Sequence, residues 1–511
     1  MTHSLDHRRR QAKTLRKAFA AGDARAIERA NAVLGQTPTL PHSVALHVIA
    51  REAGYESWPK MKFSIETADM QREARAEQLK LALFQGADWR VAQLLTQTPD
   101  LADDAFGLLC ALYRIDAVRD WLNRDSSIVH QTVQGPRRPI LHLAFSRHIQ
   151  SHPELERDMI AVANALLAAG ADVNDGYPSE PGSPHLLSAL YGAIGHADNM
   201  VLAQWLLDHG ANPNDGESLY HATELGHHKG LQILLAAGAD PRGTNALLRA
   251  LDFNDHEAVR LLLDHGGQVE EFNDAPVGGE EPWVMPALHQ AARRMCDGPM
   301  IELLMAGGAD PNRLYKGYSA YGFARVYGNV PLARAIEAAG NVQRLTPEEE
   351  LLAQAAEGRL QPGAHLDPTK LPEEYRTLIR TILHLPGKLE HVKRLVALGL
   401  NPEAPDREGL TALQVAGWEG LPEMMHYLLT LSPDLTHVNG YGGGLISTIL
   451  HGAENNPERK HRDHAACVTA ALEAGAPLGR NQIEASSDPA LTQIMEDWAA
   501  LHPDQVTVTV P

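Results

Sequence analysis

Hydrophobic positions in this chain fall in short helical bursts, each closed by the same polar phrase. One copy reads Leu166-Leu167-Ala168-Ala169-Gly170-Ala171-Asp172-Val173-Asn174. The next reads Leu206-Leu207-Asp208-His209-Gly210-Ala211-Asn212-Pro213-Asn214. Gly238-Ala239-Asp240-Pro241 and Gly308-Ala309-Asp310-Pro311-Asn312 repeat it. Weaker copies sit at Gly266-Gly267, Gly340-Asn341, Gly399-Leu400-Asn401-Pro402 and Gly475-Ala476-Pro477. Each part has a physical role. Leucines on one face pack a helix on its neighbours. Gly just past the helix end accepts the left-handed C-cap conformation. Asp or Asn supports a turn, and Pro blocks continuation of the helix.

Upstream of each phrase lies a second half-unit. The fullest copy is Gly409-Leu410-Thr411-Ala412-Leu413-Gln414-Val415-Ala416-Gly417-Trp418-Glu419-Gly420. Others are Glu217-Ser218-Leu219-Tyr220-His221-Ala222, followed by Gly226-His227, and Leu288-His289-Gln290-Ala291-Ala292. The small alanines allow two helices to approach closely. The unit resembles the ankyrin repeat, whose signature Thr-Pro-Leu-His-x-Ala lies on the first of two helices. The resemblance runs over roughly residues 79 to 480. It implies an all-α ankyrin-repeat solenoid of stacked helix-turn-helix units, and by itself it is nearly silent on function.

Repeat spacing adds detail. From Gly210 to Gly238, and from Gly238 to Gly266, the step is 28 residues. The ankyrin period is about 33, so these units are predicted to lack part of the hairpin finger. The flanking steps, Gly170 to Gly210 and Gly266 to Gly308, are 40 and 42 residues. Their extra residues fall near Asp175 to Ser183 and Asn273 to Pro286. Insertions in solenoids map to loops on one face, often the binding face, so two long loops framing a recess are expected. A longer step separates Gly340 from Gly399. Within it Thr346-Pro347-Glu348-Glu349 reads as a helix start with a capping box. Pro362, Gly363, Pro368 and Pro372 then read as a break.

The run Ala45-Leu46-His47-Val48-Ile49-Ala50-Arg51-Glu52-Ala53-Gly54-Tyr55-Glu56-Ser57-Trp58-Pro59-Lys60-Met61-Lys62 is similar to a leader segment ahead of ankyrin arrays in some bacterial proteins. That likeness implies a bacterial ankyrin-repeat protein with a helical leader that caps the first repeat. The expected organisation is a helical N-terminal capping region over 1–72 and a front array over 73–343. An irregular break over 344–371, a rear array over 372–482, and a C-terminal capping helix with a frayed tail over 483–511 complete it.

Composition narrows the function classes. Hydrophobic residues are 44% and aromatics only 5% of the 511 residues, which suits close-packed short helices rather than sheets. With 45 Lys and Arg against 64 Asp and Glu, the net charge is -19. A polyanion is repelled at long range, so nucleic acid is not an expected partner. The basic run Arg8, Arg9, Arg10, Lys13, Arg16 and Lys17 is read as a solvated helix face. Cys110, Cys296 and Cys467 are odd in number and far apart, which points to a reducing compartment. Met1 to Arg10 carries no apolar signal region, and no apolar run approaches the roughly 18 residues of a membrane span. A cytoplasmic protein without a membrane partner is expected.

In ankyrin-type folds the resemblance places partner contacts on the finger loops and at the ends of the first helices. By position this gives Tyr191, Glu224, Leu225, Arg293, Arg294, Val326, Tyr327, Trp418 and Glu419, with Ser146 and Arg147 beside them. The fingers add Trp283, Tyr315, Tyr318 and Tyr321. Aromatics and Arg dominate interface hot spots, although some of these tyrosines are equally suited to packing finger on finger. Arg293 and Arg294 follow an Ala pair and are expected to point outward. His142 and His289 occupy the signature's His position and are expected to buttress neighbouring hairpins.

Two histidine-rich groups invite a metal reading: His221, Glu224, His227 and His228, and His451, Glu454, His461, Asp463 and His464. Gly226 interrupts the first, and the second reads as a charged loop, so no metal is expected at either. The run Asn439-Gly440-Tyr441-Gly442-Gly443-Gly444 lacks the Lys and the strand of a phosphate loop, and no cofactor is expected. No G-x-S-x-G, H-E-x-x-H or C-x-x-C motif occurs. The leading reading is a protein-protein interaction scaffold that binds a protein partner through its concave face and finger loops. The alternative is a small-molecule-binding protein or enzyme using a pocket framed by the loops near 175–183 and 273–286. There Arg293 and Arg294 would hold a small anionic ligand, and Tyr191, Tyr327 or a nearby His would move a proton. Whether the chain is an enzyme stays open.

Overall fold

The computed structural model describes residues 4–40, 42–273, 284–486 and 488–510. The chain forms two compact units. One comprises Glu66–Ala324 and Asn329–Gln343; the other comprises Met1–Ile65, Arg325–Gly328 and Arg344–Pro511. Both are built from short α-helices, with only a few two- or three-residue strands among the described residues.

In the unit that starts at Glu66, antiparallel helix pairs stack so that first helices touch first helices and second helices touch second helices. Ser218–His221, Ala246–Asp252 and Ala287–Arg293 form one such row. Met200–Asp208, Lys229–Ala236, His256–Asp264 and Gly298–Ala306 form the other. This is the ankyrin-type arrangement. The leucines of the recurring phrase supply its core: Leu166, Leu206, Leu234, Leu262 and Leu304 are all fully buried. Each such side chain contributes about 1.5–3 kcal/mol over an exposed one.

The phrase itself is a helix stop joined to an inter-repeat tie. Gly210 has φ of 93°, and Ala211 donates its N–H to Leu206 O at 2.9 Å. Asn212 then accepts the N–H of Asn214 at 3.0 Å on its own side chain. Asn174 of the preceding turn accepts the N–H of Asn212 at 2.7 Å, and Asn214 accepts that of Asp240 at 2.7 Å. Asn174 and Asn214 therefore each tie their own turn to the next one, which accounts for the Asn that ends those two copies.

Among the described residues, finger strands appear in the 40-residue step after Gly170 and in the 32-residue step from Gly308 to Gly340. Gly176–Pro178 pairs antiparallel with Leu186–Ser188, and Leu314–Tyr315 pairs with Tyr318–Ser319. No strand forms over 211–217 or 239–245, in line with the shortened 28-residue units. The first expected long loop is thus a hairpin. Most of the second, 274–283, lies outside the described residues.

In the other unit, Leu5–Ala20, Ala24–Leu34 and His42–Glu52 close around Ala12, Leu15, Ala30, Ala45, Val48, Ile49 and Met61. Helix His42–Glu52 also packs against Pro489–Leu501 near the end of the chain. Helix Pro347–Glu357 starts with the predicted capping box between Thr346 and Glu349 and packs on Leu389–Leu398. Ala412–Trp418 lies close against Leu445–Asn455 because Gly417 faces Ile449: a Cβ there would stand 2.7 Å from Ile449 Cγ1. The tail does not simply fray. Val506–Thr507 pairs in parallel with Leu478–Gly479, and Asn481 adds hydrogen bonds to both backbone groups of Val510. Among the described residues, no helix is long and apolar enough to cross a membrane.

Candidate functional site

In the Glu66–Ala324 portion, the ends of the first helices carry a continuous ladder of charged side chains. It begins at Glu217, whose side chain is wholly buried at the start of helix Ser218–His221. One Glu217 oxygen lies 2.5 Å from His185 Nε2, and the other lies 3.1 Å from His221 Nε2. His221 Nδ1 stands 2.9 Å from Glu224 Oε2, and Arg249 Nε donates to Glu224 Oε1 at 2.8 Å. Arg249 Nη1 reaches Asp252 Oδ2 at 2.7 Å. The other Asp252 oxygen accepts from Arg294 Nε at 2.8 Å and from Gln290 Nε2 at 2.5 Å.

Helical spacing makes the ladder possible. Residues three and four apart share a helix face, which aligns Glu217, His221 and Glu224, and again Arg249 and Asp252. Stacking of successive repeats then joins the two sets. Burial disfavours a charged His221, but the two carboxylates on either side outweigh it and raise its pKa to about 9. Burial likewise opposes ionisation of Glu224, yet His221 and Arg249 hold its pKa below the ordinary value. The Arg249 guanidinium also sits 4.9 Å from the ring centre of Phe253, which is 52% exposed, and 5.8 Å from that of Tyr220.

The expected contact residues divide accordingly. Glu224 and Arg294 are rungs of the ladder. Tyr191 is half-buried beside it, 4.9 Å from the His221 ring and edge-on to Phe145. Arg293 is only 7% exposed and does not point outward as expected. Every residue of helix Ala287–Arg293 is buried, so the outward direction falls to Arg294 alone. Tyr321 and Tyr327 are also corrections to an exposed-face reading, at 5% and 1% exposure. The Tyr321 hydroxyl donates to Glu337 at 2.9 Å, and that of Tyr327 lies 3.4 Å from Glu374 O. Both rings fill space in the packed interior. Leu225 is half-buried and Val326 is buried.

Tyr318 is half-buried in its finger strand, where its carbonyl meets His289 Nε2 at 3.1 Å. His142 makes the equivalent 2.7 Å contact to Val133 O, so both signature histidines buttress fingers. Ser146 is buried, bonded to Ala111 O at 2.7 Å, and Arg147 Nε holds His196 O at 2.8 Å. Trp418 and Glu419 are half-buried in the other unit. Burial raises the Glu419 pKa, partly countered by Asn456 and Arg462. Trp283 lies outside the described residues.

The two histidine groups seen in the sequence do not converge. His227 pairs with Asp198 at 2.9 Å and His228 with Asp255 at 2.8 Å, separately from His221. His464 bonds the Trp418 carbonyl, while His451 meets Asn455. Among the described residues, the one convergent set of this kind is Asp88, His148 and His152, which the sequence reading missed. Its legible signal was the His148-x-x-x-His152 spacing; Asp88 joins only through the fold.

No family model matches this chain, and no curated protein matches it. Solved structures do. The chain is similar to the human ASB11 ankyrin repeat domain at 21% identity, over 51% of this chain and 99% of that one, with a TM-score of 0.33. It is also similar to the ankyrin repeat domain of Bcl-3, a member of the IkappaB protein family. That match has 20% identity over 45% of this chain and 97% of that one, with a TM-score of 0.34.

Proposed function

We propose that the chain is a protein-binding scaffold and that the ladder face of the Glu66–Ala324 portion receives the partner. The observation that carries this reading is the exposed Phe253 ring held under Arg249 within a charge ladder that crosses successive repeats. A scaffold gains affinity when its contact groups are already ordered, because less side-chain entropy is lost on binding. The mutual ion pairs order Glu224, Arg249, Asp252 and Arg294 in this way. Aromatic and Arg side chains supply the anchor types that dominate interface energetics. Trp418 and Glu419 remain proposed as a separate contact point at the end of helix Ala412–Trp418.

The test is affinity purification from the native host with mass spectrometry of proteins and small molecules. Wild type is compared with Phe253→Ala/Arg249→Gln and with Trp418→Ala. The expected result is a protein retained by wild type and lost by the first variant while its circular dichroism is unchanged. Equal retention by both variants removes the ladder face from the proposal.

A second reading has its own observation. A groove at the base of the 176–188 hairpin is lined by Asn174, Gly176, Ser188, Asn212, Asn214 and Asp215. Val173, Leu186 and Leu190 complete the wall, so the mixed lining suits a small ligand with both apolar and hydrogen-bonding parts, and its carboxylate disfavours the anion expected from sequence. A small molecule retained without any protein, and lost on Ser188→Ala/Asn212→Ala, favours this reading over the scaffold.

A further inference from the structure

Away from the ladder, the same unit brings together a carboxylate and two imidazoles that lie 60 and 64 positions further along the chain. Asp88 is the first residue of helix Asp88–Gln97. His148 opens the short helix His148–Ser151, and His152 is its C-cap. Four-residue spacing sets the two imidazoles on one side, with ring centres 4.3 Å apart. Asp88 Oδ1 lies 2.9 Å from His152 Nε2 and 3.8 Å from His148 Nδ1. One ligand atom from each of the three residues falls within 4.8 Å of the others. An ion bound about 2.0–2.2 Å from each donor holds its ligands roughly 3–3.5 Å apart. The two Asp88 separations, 2.9 and 3.8 Å, bracket that range, and the donors of all three residues lie within 4.8 Å, so side-chain rotation is needed to close the set.

Two independent features point to a ligand. The first is His148. Its side chain is only 9% exposed, and its buried Nδ1, the atom facing Asp88, has no hydrogen-bond partner. A buried nitrogen left in that state is costly unless something occupies it. The second is Glu154, which sits 3.0 Å from His152 Nδ1. Its carboxylate accepts the Nδ1 proton and fixes the ring with Nε2 aimed at Asp88 Oδ1, 2.9 Å away, so an ion that takes the place of the Nε2 proton lies between those two atoms. Metal-ligating histidines are oriented in the same manner, with a carboxylate behind the ring.

We propose that Asp88, His148 and His152 bind a divalent first-row transition ion, with Glu154 as the positioning residue behind His152. Two imidazoles and one carboxylate match the preferences of zinc, cobalt or ferrous iron, and imidazole disfavours calcium and magnesium. Asp88 and His152 are partly exposed, so a remaining coordination position faces solvent. The ion ties helix Asp88–Gln97 to segment 148–152, and it offers an open position for a donor atom from a ligand or partner.

The full-length chain, stripped with a chelator, is titrated with Zn(II) by calorimetry and with Co(II) by visible absorption. With 26 histidines in the chain, weak background binding is expected, so the readout is the difference between variants. Wild type is expected to show one tight site above that background, with Co(II) absorption bands and a rise in Tm on adding Zn(II). His148→Gln removes that site, Asp88→Asn weakens it by at least about tenfold, and Glu154→Gln weakens it by about tenfold or more. Should His148→Gln fail to fold, Asp88→Asn decides the matter, since Asp88 is only partly buried and the change is nearly isosteric. Identical titrations for wild type and Asp88→Asn, or no wild-type binding at micromolar Zn(II), overturn the proposal. Loss of this site leaves the ladder-face test unaffected, so the two readings stand or fall separately.

Discussion

His221 and Glu217 lie one helical turn apart, and the imidazole Nε2 stands 3.1 Å from a carboxylate that has no solvent exposure. Glu224 holds the opposite ring nitrogen at 2.9 Å. The imidazolium is thus the central link of the ladder, and its pKa rises to about 9 from the ordinary 6.5. A raised folded-state pKa means that the folded protein holds a proton the unfolded chain has released. The resulting stability is fully present below pH 6.5 and is lost as pH rises through about 9. Thermal unfolding between these values is expected to show a falling Tm, and His221→Gln should flatten that fall. A wild-type slope unchanged by the substitution contradicts the link.

On the acid side the sign reverses. Burial lowers the pKa of His142, His196 and His289 to about 4, so the folded protein keeps these rings neutral. The unfolded chain takes up protons on them below about pH 6.5. Stability present above that value is expected to drain away as pH falls toward 4, and His289→Gln should reduce the loss. Urea midpoints at pH 7 and pH 5 measure it.

Removing Glu217 leaves His185 and His221 facing a buried hole. Breaking a buried ion pair by deleting one partner costs about 3–5 kcal/mol. Glu217→Ala is expected to lose stability on that scale, and Glu217→Gln less because its oxygen still accepts a hydrogen bond. Denaturant unfolding at pH 7 compares the two.

Gly192 is held against Phe145. A Cβ at this position would stand 2.5 Å from two ring carbons, and Phe145 is itself 2% exposed. Gly192→Ala should therefore destabilise by about 1–3 kcal/mol, the usual scale for overpacking. Gly182→Ala offers a contrast, because nothing lies within 4 Å of its Cβ position and only its φ of 84° opposes the change.

All three cysteines are buried. Burial pushes the Cys296 and Cys467 thiols up to about 12 and raises Cys110 as well. Only the thiolate reacts readily with disulfide reagents. Native protein is expected to consume almost no thiol reagent at pH 8, and denatured protein to consume three equivalents per chain.

The repeat fold was legible because its signal is local. A positive-φ glycine after a leucine-rich helix, an Asx turn and a blocking proline each act within a few residues. The capping box at Thr346 and the finger contacts of His142 and His289 were readable for the same reason. Side-chain direction within the tightly packed first helices was not. Arg293 and Arg294 are neighbours in sequence, but one is enclosed by adjacent repeats and the other reaches Asp252 at 2.8 Å.

The chain's own pattern determined that it builds helix pairs, where they stop, and which units lack finger strands, since short-range sterics and hydrogen bonds govern those outcomes. Only the tertiary structure decided that Tyr321 and Tyr327 are interior, that Arg249 links Glu224 to Asp252, and that Asp88 meets His148 and His152. Those relationships depend on how one repeat is rotated against the next. A rotation of that kind is set by the summed packing of many side chains and leaves no mark on any single stretch of residues.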